Sequence, residues 1–169
     1  MKMLESKYKF YLSFENSFCD DYVTEKFFKV LNYDMIPIVL GGGNYSKFAP
    51  AKSFIDAKDF KSIADLAEHI KYLDKNETAY SEYFEWKTHF RVVSDYSRVF
   101  CQLCQALNDP AGHPEKTYSD IFKWWRTQAH CTKKGRFPWS KTALESYVDY
   151  FKSSATQIAS LLSQSKLVI

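Results

Sequence analysis

Hydrophobic and polar residues follow strand and helix periods in turn along the first part of the chain. Residues 8–14 alternate between apolar and polar positions, a period of two that predicts a strand. A polar loop follows at residues 15–21, and from residue 24 apolar side chains recur at helical spacing. Thr24 can cap this helix through its hydroxyl. Residues 35–40 are wholly apolar and end in three glycines, which is typical of a buried strand in a parallel sheet.

The same alternation of strands and helices continues to about residue 90. Residues 52–56 are a further short strand candidate. Ser62 followed by Asp65 resembles a capping box, and apolar positions from Ile63 to Leu73 predict an amphipathic helix. Another helix is expected over residues 77–86. The order strand–helix–strand–strand–helix predicts an α/β fold with a parallel sheet and right-handed crossovers.

No strand is predicted beyond Arg91. Helices are expected over residues 96–107, 118–126 and 141–163, with loops between them. We therefore expect one α/β unit at residues 1–131 and a helical C-terminal extension at residues 132–169.

Composition narrows the class of protein. The 169 residues suit a single domain or one lobe of a larger enzyme, and 46% hydrophobic residues are ample for a core. The net charge of +3 is spread among acids, which argues against a nucleic-acid binder. No stretch reaches the roughly 20 apolar residues that span a bilayer. The first seven residues are too polar to be a signal peptide, so we expect any secretory address to lie on a longer parent chain.

The cysteines allow two interpretations. Cys101-Gln-Leu-Cys104 has the spacing of a zinc knuckle or a redox pair, and Cys131 beside His130 is the downstream cluster that could complete a metal site. We favour disulfides in an oxidising compartment over zinc, with Cys101, Cys104 and Cys131 as candidates.

Two glycosylation sequons agree with an oxidising, secretory compartment. They are Asn44-Tyr-Ser46 and Asn76-Glu-Thr78, which make Asn44 and Asn76 glycosylation candidates. Such triplets also arise by chance, so their support is modest.

The polar loop and the helix after it carry the chemistry of a candidate binding site. In open α/β sheets ligands bind beyond the carboxyl ends of the strands, which here predicts a pocket for a phosphorylated sugar nucleotide. Lys26, in the first turn of the helix, would place a cation beside a diphosphate. Glu25 suits the hydroxyls of ribose or of the sugar. Asn16 offers an amide, and Tyr22 offers a ring face and a phenol.

The glycines after the second strand complete this candidate site. Gly41, Gly42 and Gly43 would let the backbone approach a ligand closely. Each element alone also has an ordinary structural explanation, such as a capped, solvated first turn or a flexible loop. Their occurrence together and in this order favours the binding site.

Three motifs in this region resemble the signature of the family 10 glycosyltransferases, the α-1,3/4-fucosyltransferases. They are Tyr11-Leu-Ser-Phe-Glu-Asn-Ser17, Asp21-Tyr-Val-Thr-Glu-Lys26 and Ile36-Pro-Ile-Val-Leu-Gly41. The resemblance extends over roughly residues 8–131 and includes Cys101-Gln-Leu-Cys104. Residues after about 135 match no pattern that we recognise.

This resemblance implies a fold and an activity. The fold would be the Rossmann-like, donor-binding C-terminal lobe of a two-lobed GT-B glycosyltransferase. Such an enzyme, a transferase of the hexosyltransferase class, moves L-fucose from GDP-fucose with inversion to a GlcNAc hydroxyl of a glycan in protein glycosylation. The acceptor would be an N-glycan or a lactosamine-type glycan, and no nucleic acid would be a partner.

The resemblance also implies which residues contact the donor. They are Asn16, Tyr22, Thr24, Glu25, Lys26, Gly41 and Gly42. The catalytic base is expected in an N-terminal acceptor lobe outside this sequence, so we expect no catalytic residue and no metal ligand here. GDP-fucose is the expected donor substrate, no cofactor is required, and a divalent metal would be stimulatory at most.

Family members are membrane proteins of the Golgi cisternae that face the lumen, so an N-terminal anchor is expected outside this chain. The late cysteines of the family pair with partners elsewhere in its fold, which could leave Cys101 or Cys104 unpaired here. The main alternative is a truncated, non-catalytic fragment that folds and binds GDP-fucose but lacks the acceptor lobe and its base. An unrelated α/β binding protein with a chance motif is a third, weaker alternative.

Overall fold

A parallel β-sheet with helices packed around it forms the body of the protein. A computed structural model describes residues 1–93, 97–109, 111–114 and 116–131, and also Ile158, Ser160, Leu167 and Val168. The strands in this part of the chain are β1 (Phe10–Phe14), β2 (Ile36–Leu40), β3 (Ile55–Asp56) and β4 (Leu167–Val168). They lie in the order β3-β2-β1-β4, and every neighbouring pair is parallel. The predicted α/β fold with a parallel sheet is confirmed.

The helices of the described residues follow the predicted pattern with shifted ends. They are α1 (Lys2–Glu5), α2 (Glu25–Leu31), α3 (Ile63–Lys75), α4 (Glu77–Ser81), α5 (Ser97–Asn108) and α6 (Ile121–Gln128), with 3-10 turns at Tyr45–Lys47, Ala57–Asp59 and Glu82–Thr88. The helix expected over residues 77–86 is thus α4 continued by a 3-10 turn. The α6 helix begins later than predicted because Asp120 caps it, accepting a hydrogen bond from Lys123 N–H at 2.8 Å.

The central pair of strands tolerates a proline because of where its hydrogen bonds point. Ile36 N–H donates to the Lys9 carbonyl at 2.8 Å, on the β1 side. Successive backbone groups of a strand point to opposite sides, so the nitrogen of Pro37 faces the β3 side. Pairing with β3 begins only at Ile38, which leaves no strand partner for a donor at position 37.

The third strand is shorter than the sequence predicts. Residues 52–56 were the candidate, but Lys52 has a φ of 57° and therefore cannot continue an extended strand. The Ser53 N–H and hydroxyl instead bond to the Pro50 carbonyl in a turn. Only Ile55 and Asp56 pair with β2.

Two apolar clusters cover the two faces of the sheet. Side chains that alternate along β1 and β2 pack with α3 on one face, where the cluster includes Phe10, Leu12, Ile36, Ile38, Leu40, Leu66, Ile70 and Leu73. On the opposite face, α2 packs through Phe27 and Leu31 against Val39, Tyr45 and Trp86. The sheet therefore carries α2 on one side and α3 on the other, with the loops of both strands meeting at one edge.

Few residues of the expected helical extension are described: Ile158 and Ser160 are helical, as predicted, whereas the strand at Leu167–Val168 was not predicted. Most of residues 132–169 lie outside the described part of the chain. Ile158 is fully buried in the cluster that also contains Phe10 and Ile70. Leu167–Val168 form a strand beside β1, where they provide backbone partners for an otherwise open edge of that strand. The last described residues thus belong to the sheet itself.

No helix within the described ranges is both long and apolar enough to cross a membrane.

The burial of Ile158 gives a test of this packing. Ile158→Ala should lower the free energy of unfolding by about 2–4 kcal/mol, because it leaves a cavity in the core. The matched control is Ile121→Ala on α6, where the side chain is exposed and the change should be within about 0.5 kcal/mol. Urea unfolding followed by circular dichroism measures both. Equal losses in the two variants would show that Ile158 is not a core residue.

Candidate functional site

A buried carboxylate lies where the first strand ends. Glu15 directly follows β1 and is only 1% exposed. Its backbone N–H donates to the Leu40 carbonyl at 2.9 Å, which places it beside the end of β2. Its side chain accepts two hydrogen bonds of 2.7 Å from Thr24, one from the backbone N–H and one from the hydroxyl. The Lys26 ammonium lies 3.8 Å from the same carboxylate.

These bonds attach the start of α2 to the end of β1. Thr24 is the N-cap residue of α2, but its side chain makes no capping hydrogen bond. The predicted hydroxyl cap is therefore wrong, because the hydroxyl donates to Glu15 instead. A second bond reinforces the connection, since the Ser13 hydroxyl donates to the Lys26 carbonyl at 3.1 Å. Ser13 is fully buried on the face of the sheet that α2 covers.

The glycines after β2 are packed against this loop. A Cβ atom on Gly41 would lie 2.9 Å from Glu15 Cγ, and one on Gly42 would overlap the backbone of Cys19. A Cβ atom on Gly43 would overlap a methyl group of Val23. The sequence predicts close approach of this backbone to a ligand. In the structure, the loop after β1 already requires glycine here, and at Gly41 the Tyr45 hydroxyl, 2.5 Å from where a Cβ atom would lie, requires it as well.

The other predicted donor residues lie on the same loop and helix turn. Asn16 and Glu25 are exposed, Tyr22 is half-buried, and the Lys26 side chain is 32% exposed. Tyr22 N–H donates to the Cys19 carbonyl at 3.3 Å, which closes a turn within the loop. The structure therefore brings the predicted polar residues together at the carboxyl edge of the sheet.

A disulfide fixes the outer side of this loop. Cys19 is bonded to Cys131, which is 112 residues further along the chain. Beside the disulfide, Asp20 N–H donates to the Ala129 carbonyl at 2.8 Å, and the Asp20 carboxylate lies 2.9 Å from His130 Nδ1. Three consecutive residues after α6 are thus attached to the loop by a covalent bond, a backbone bond and a side-chain pair.

Two of the three predicted disulfide cysteines are not in a disulfide. Cys101 and Cys104 are exposed free thiols on α5, a helix with no buried residues, whereas Cys131 bonds to Cys19. The spacing in the sequence favoured Cys101 and Cys104, which are close together along the chain. The fold instead brings together Cys19 and Cys131, which are far apart along it. Within the described ranges, no three His, Cys, Asp or Glu side chains are grouped so that they could hold a metal ion.

Both sequon asparagines act as caps. The Asn44 side chain accepts from Ser46 N–H at 3.2 Å, and that of Asn76 accepts from Ala79 N–H at 3.1 Å. Asn76 Nδ2, the atom that would carry a glycan, also donates to the Tyr72 hydroxyl at 3.1 Å. Asn44 is exposed, and glycosylation at either site stays a prediction.

Comparison with known proteins agrees with the signature in this loop. The model of the C-terminal region of glycosyltransferase family 10 (fucosyltransferase) matches residues 1–124. The chain belongs to this family. The resemblance on which the sequence prediction depends is therefore confirmed, and the matched range contains β1, α2 and the glycine turn.

Several curated fucosyltransferases are similar to the chain. Alpha-(1,3)-fucosyltransferase C of Drosophila melanogaster is 46% identical over 125 residues, 73% of this chain and 29% of that protein. Glycoprotein 3-alpha-L-fucosyltransferase A of the same organism is 39% identical over 137 residues, 79% of this chain and 27% of that protein. Human alpha-(1,3)-fucosyltransferase 4 is 38% identical over 125 residues, 71% of this chain and 23% of that protein. The chain thus spans less than a third of the length of these family members.

Sequence reasoning gave no role to Glu15, Ser13 or Cys19. Glu15 lies within the family signature, but it follows an apolar strand directly and was interpreted only as the polar residue at which that strand ends. The sequence did contain one indication of the role of Glu15. This charged residue directly follows a buried strand, and a threonine stands at the start of the next helix. The Cys19 pairing had no local signal, because its partner lies on a distant segment.

The disulfide gives a prediction for stability. Cys131→Ser should lower the free energy of unfolding under non-reducing conditions by about 2–4 kcal/mol, because it releases a long closed loop in the unfolded chain. Cys101→Ser is the matched control, since that thiol is exposed and free, and its effect should be within about 0.5 kcal/mol. Urea unfolding of both variants decides the matter. A Cys131→Ser protein as stable as the control would contradict the pairing.

Proposed function

We propose that this chain forms the donor-binding lobe of a fucosyltransferase and binds GDP-fucose at the carboxyl edge of the sheet. Membership of the fucosyltransferase family and the names of the similar proteins support the donor class. In this proposal the parallel sheet is the Rossmann-like C-terminal lobe of a GT-B enzyme. Asn16, Tyr22, Thr24, Glu25, Lys26, Gly41 and Gly42 form the donor site.

The placement of Lys26 is the observation that carries this proposal. Its ammonium is held near Glu15 at 3.8 Å, beyond hydrogen-bond distance, and a third of its side chain is exposed. Among the described residues, no side chain or carbonyl accepts a hydrogen bond from it. Its three donors therefore remain available to the oxygens of a diphosphate.

In fucose transfer, Lys26 would stabilise the charge on the leaving group. The bond between fucose C1 and the β-phosphate oxygen breaks as the acceptor hydroxyl oxygen bonds to C1 from the opposite side. Negative charge then develops on the departing diphosphate, and a positioned cation stabilises it. The proton of the acceptor hydroxyl passes to a base that we assign to the acceptor lobe, outside the residues of this site.

The remaining polar residues suit the other parts of the donor. Glu25 is exposed next to Lys26 in the first turn of α2, and a carboxylate there is better matched to ribose or fucose hydroxyls than to phosphate. Asn16 can both donate and accept hydrogen bonds, and Tyr22 offers a ring face. No metal ligand is part of this proposal, and a divalent metal would act on the rate only as a supplement to Lys26.

We also propose the compartment in which the protein acts and which steps require the acceptor lobe. The Cys19–Cys131 disulfide and the exposed sequon at Asn44 suit an oxidising lumen, in agreement with the lumenal side of Golgi cisternae. Attachment to the membrane would come from an anchor outside this chain. By itself the chain would bind the donor, and transfer to an N-glycan or lactosamine acceptor would require the acceptor lobe and its base.

Calorimetry with the purified chain tests the proposal. GDP-fucose and GDP should both bind, whereas an ADP-sugar should give no heat above the dilution control. Binding of the ADP-sugar as tightly as GDP-fucose, or no binding of GDP-fucose, would contradict the assigned donor.

Lys26→Ala should weaken GDP binding by about 2 kcal/mol, because it removes charge-assisted hydrogen bonds to the diphosphate. Lys29→Ala is the matched control, since Lys29 carries the same charge in the last turn of the same helix and is exposed. Its effect should be several times smaller. Titration with GDP measures both variants, and an unchanged affinity of Lys26→Ala would refute the role of this lysine.

Glu25→Gln should affect the two ligands differently. Its contacts are proposed to be with hydroxyls, so the loss of affinity for GDP should be smaller than that of Lys26→Ala. The comparison of GDP with GDP-fucose shows whether fucose hydroxyls are among the partners of Glu25. If Glu25→Gln and Lys26→Ala lost the same affinity for GDP, the assignment to hydroxyls would be wrong.

A further inference from the structure

We propose that Glu15 is a positioning residue, which holds the first turn of α2 so that Lys26 faces the diphosphate of the donor. This inference rests on the proposed function and adds a residue to it. Glu15 does not contact the ligand in this proposal, because its side chain is fully buried.

The buried carboxylate of Glu15 needs hydrogen-bond donors or a counter-charge, and the start of α2 supplies both. A carboxylate removed from water is costly unless hydrogen bonds or a counter-charge compensate it. Here both oxygens are used: Oε1 accepts from Thr24 N–H, and Oε2 accepts from the Thr24 hydroxyl. Lys26 Nζ, 3.8 Å from Oε2, supplies the opposite charge. All three groups belong to the N-terminal end of one helix.

The position of the carboxylate is in turn fixed by both strands. Glu15 N–H is bonded to the Leu40 carbonyl at the end of β2, and the absence of a side chain at Gly41 leaves room for the Glu15 side chain and the Tyr45 hydroxyl. Ser13, two residues earlier, bonds to the Lys26 carbonyl from β1. The backbone of residue 26 and the ammonium of its side chain are therefore both held from the same strand end.

Neutralising Glu15 should change the affinity for GDP in opposite directions, depending on whether Glu15 acts only through its charge or positions Thr24 and Lys26. Removing a negative charge near the site should strengthen the binding of an anion, because a source of repulsion disappears. If Glu15 instead positions Thr24 and Lys26, its neutralisation should weaken binding. The sign of the change in affinity therefore separates the two roles.

The test is calorimetric titration of Glu15→Gln with GDP. We expect GDP to bind about tenfold more weakly, because the variant weakens the charge-assisted hydrogen bonds that hold Thr24. The matched control is Asp21→Asn, which neutralises an exposed acid of the same loop that pairs with Lys47 at 3.3 Å. Its affinity for GDP should stay the same or rise slightly.

Two further measurements distinguish positioning from general loss of structure. Guanosine, which lacks phosphates, should bind to Glu15→Gln and wild type alike, whereas a collapsed site would lose it as well. In a Lys26→Ala background, Glu15→Gln should change GDP affinity less than twofold, because it acts through that lysine.

A milder variant keeps the inference testable if Glu15→Gln does not fold. Glu15→Asp keeps the negative charge but withdraws the carboxylate from Thr24 and Lys26, and it should weaken GDP binding about threefold. An affinity for GDP equal to that of wild type would refute the positioning role of Glu15.

The outcomes for the two proposals are distinct. Wild type that fails to bind GDP would refute the proposed function and this inference with it. If wild type binds GDP and Glu15→Gln binds it equally well or better, only the positioning role is refuted. Loss of guanosine binding in step with GDP would also overturn it, in favour of a purely structural role.

Discussion

The carboxylate of Glu15 is the group on which the arrangement of the candidate site depends. It lies where β1 ends, beside the end of β2, and it binds the first residues of α2. Parallel strands bring their carboxyl ends to one edge, but that alone does not orient the loops that leave them. A buried acceptor with two hydrogen bonds from Thr24 gives the loop after β1 a defined return to the sheet.

The loop between Glu15 and Thr24 is constrained from two sides. Glu15 holds its ends from within the core, and the Cys19–Cys131 disulfide holds its middle from the outer side. The glycine turn after β2 packs against the backbone of Cys19 at Gly42 and against the Val23 side chain at Gly43, so the two segments are in close contact. A site held in this way would lose little conformational entropy on binding the proposed donor, which favours affinity. Exposed Asn16 and Glu25 and half-buried Tyr22 are thus carried on a backbone that is already in place.

Local patterns in the sequence were sufficient for β1, β2 and most helices. The period of two before residue 14 and the apolar run before Gly41 gave β1 and β2, and the predicted cap at Ser62 is confirmed by its bond from Asp65 N–H at 3.1 Å. These features depend on neighbours within a few residues, which the sequence displays directly. Contacts between distant segments were not accessible in this way. The disulfide partner of Cys131, the strand at Leu167–Val168 and the bond from Thr24 to Glu15 all depend on how the chain returns to the sheet.

The pairing of Lys26 with a buried acid has a consequence for how the site would select its ligand. Glu15 offsets part of the positive charge of Lys26, and the net charge of the chain is only +3, so the proposed site would not attract anions strongly by charge alone. What the pair provides is a defined position for the ammonium, because the carboxylate and the Ser13 hydroxyl hold both ends of the residue. A fixed cation stabilises charge that develops at one place and costs little reorganisation when it does so. Recognition of a diphosphate here would therefore depend on geometry more than on the total charge of the protein.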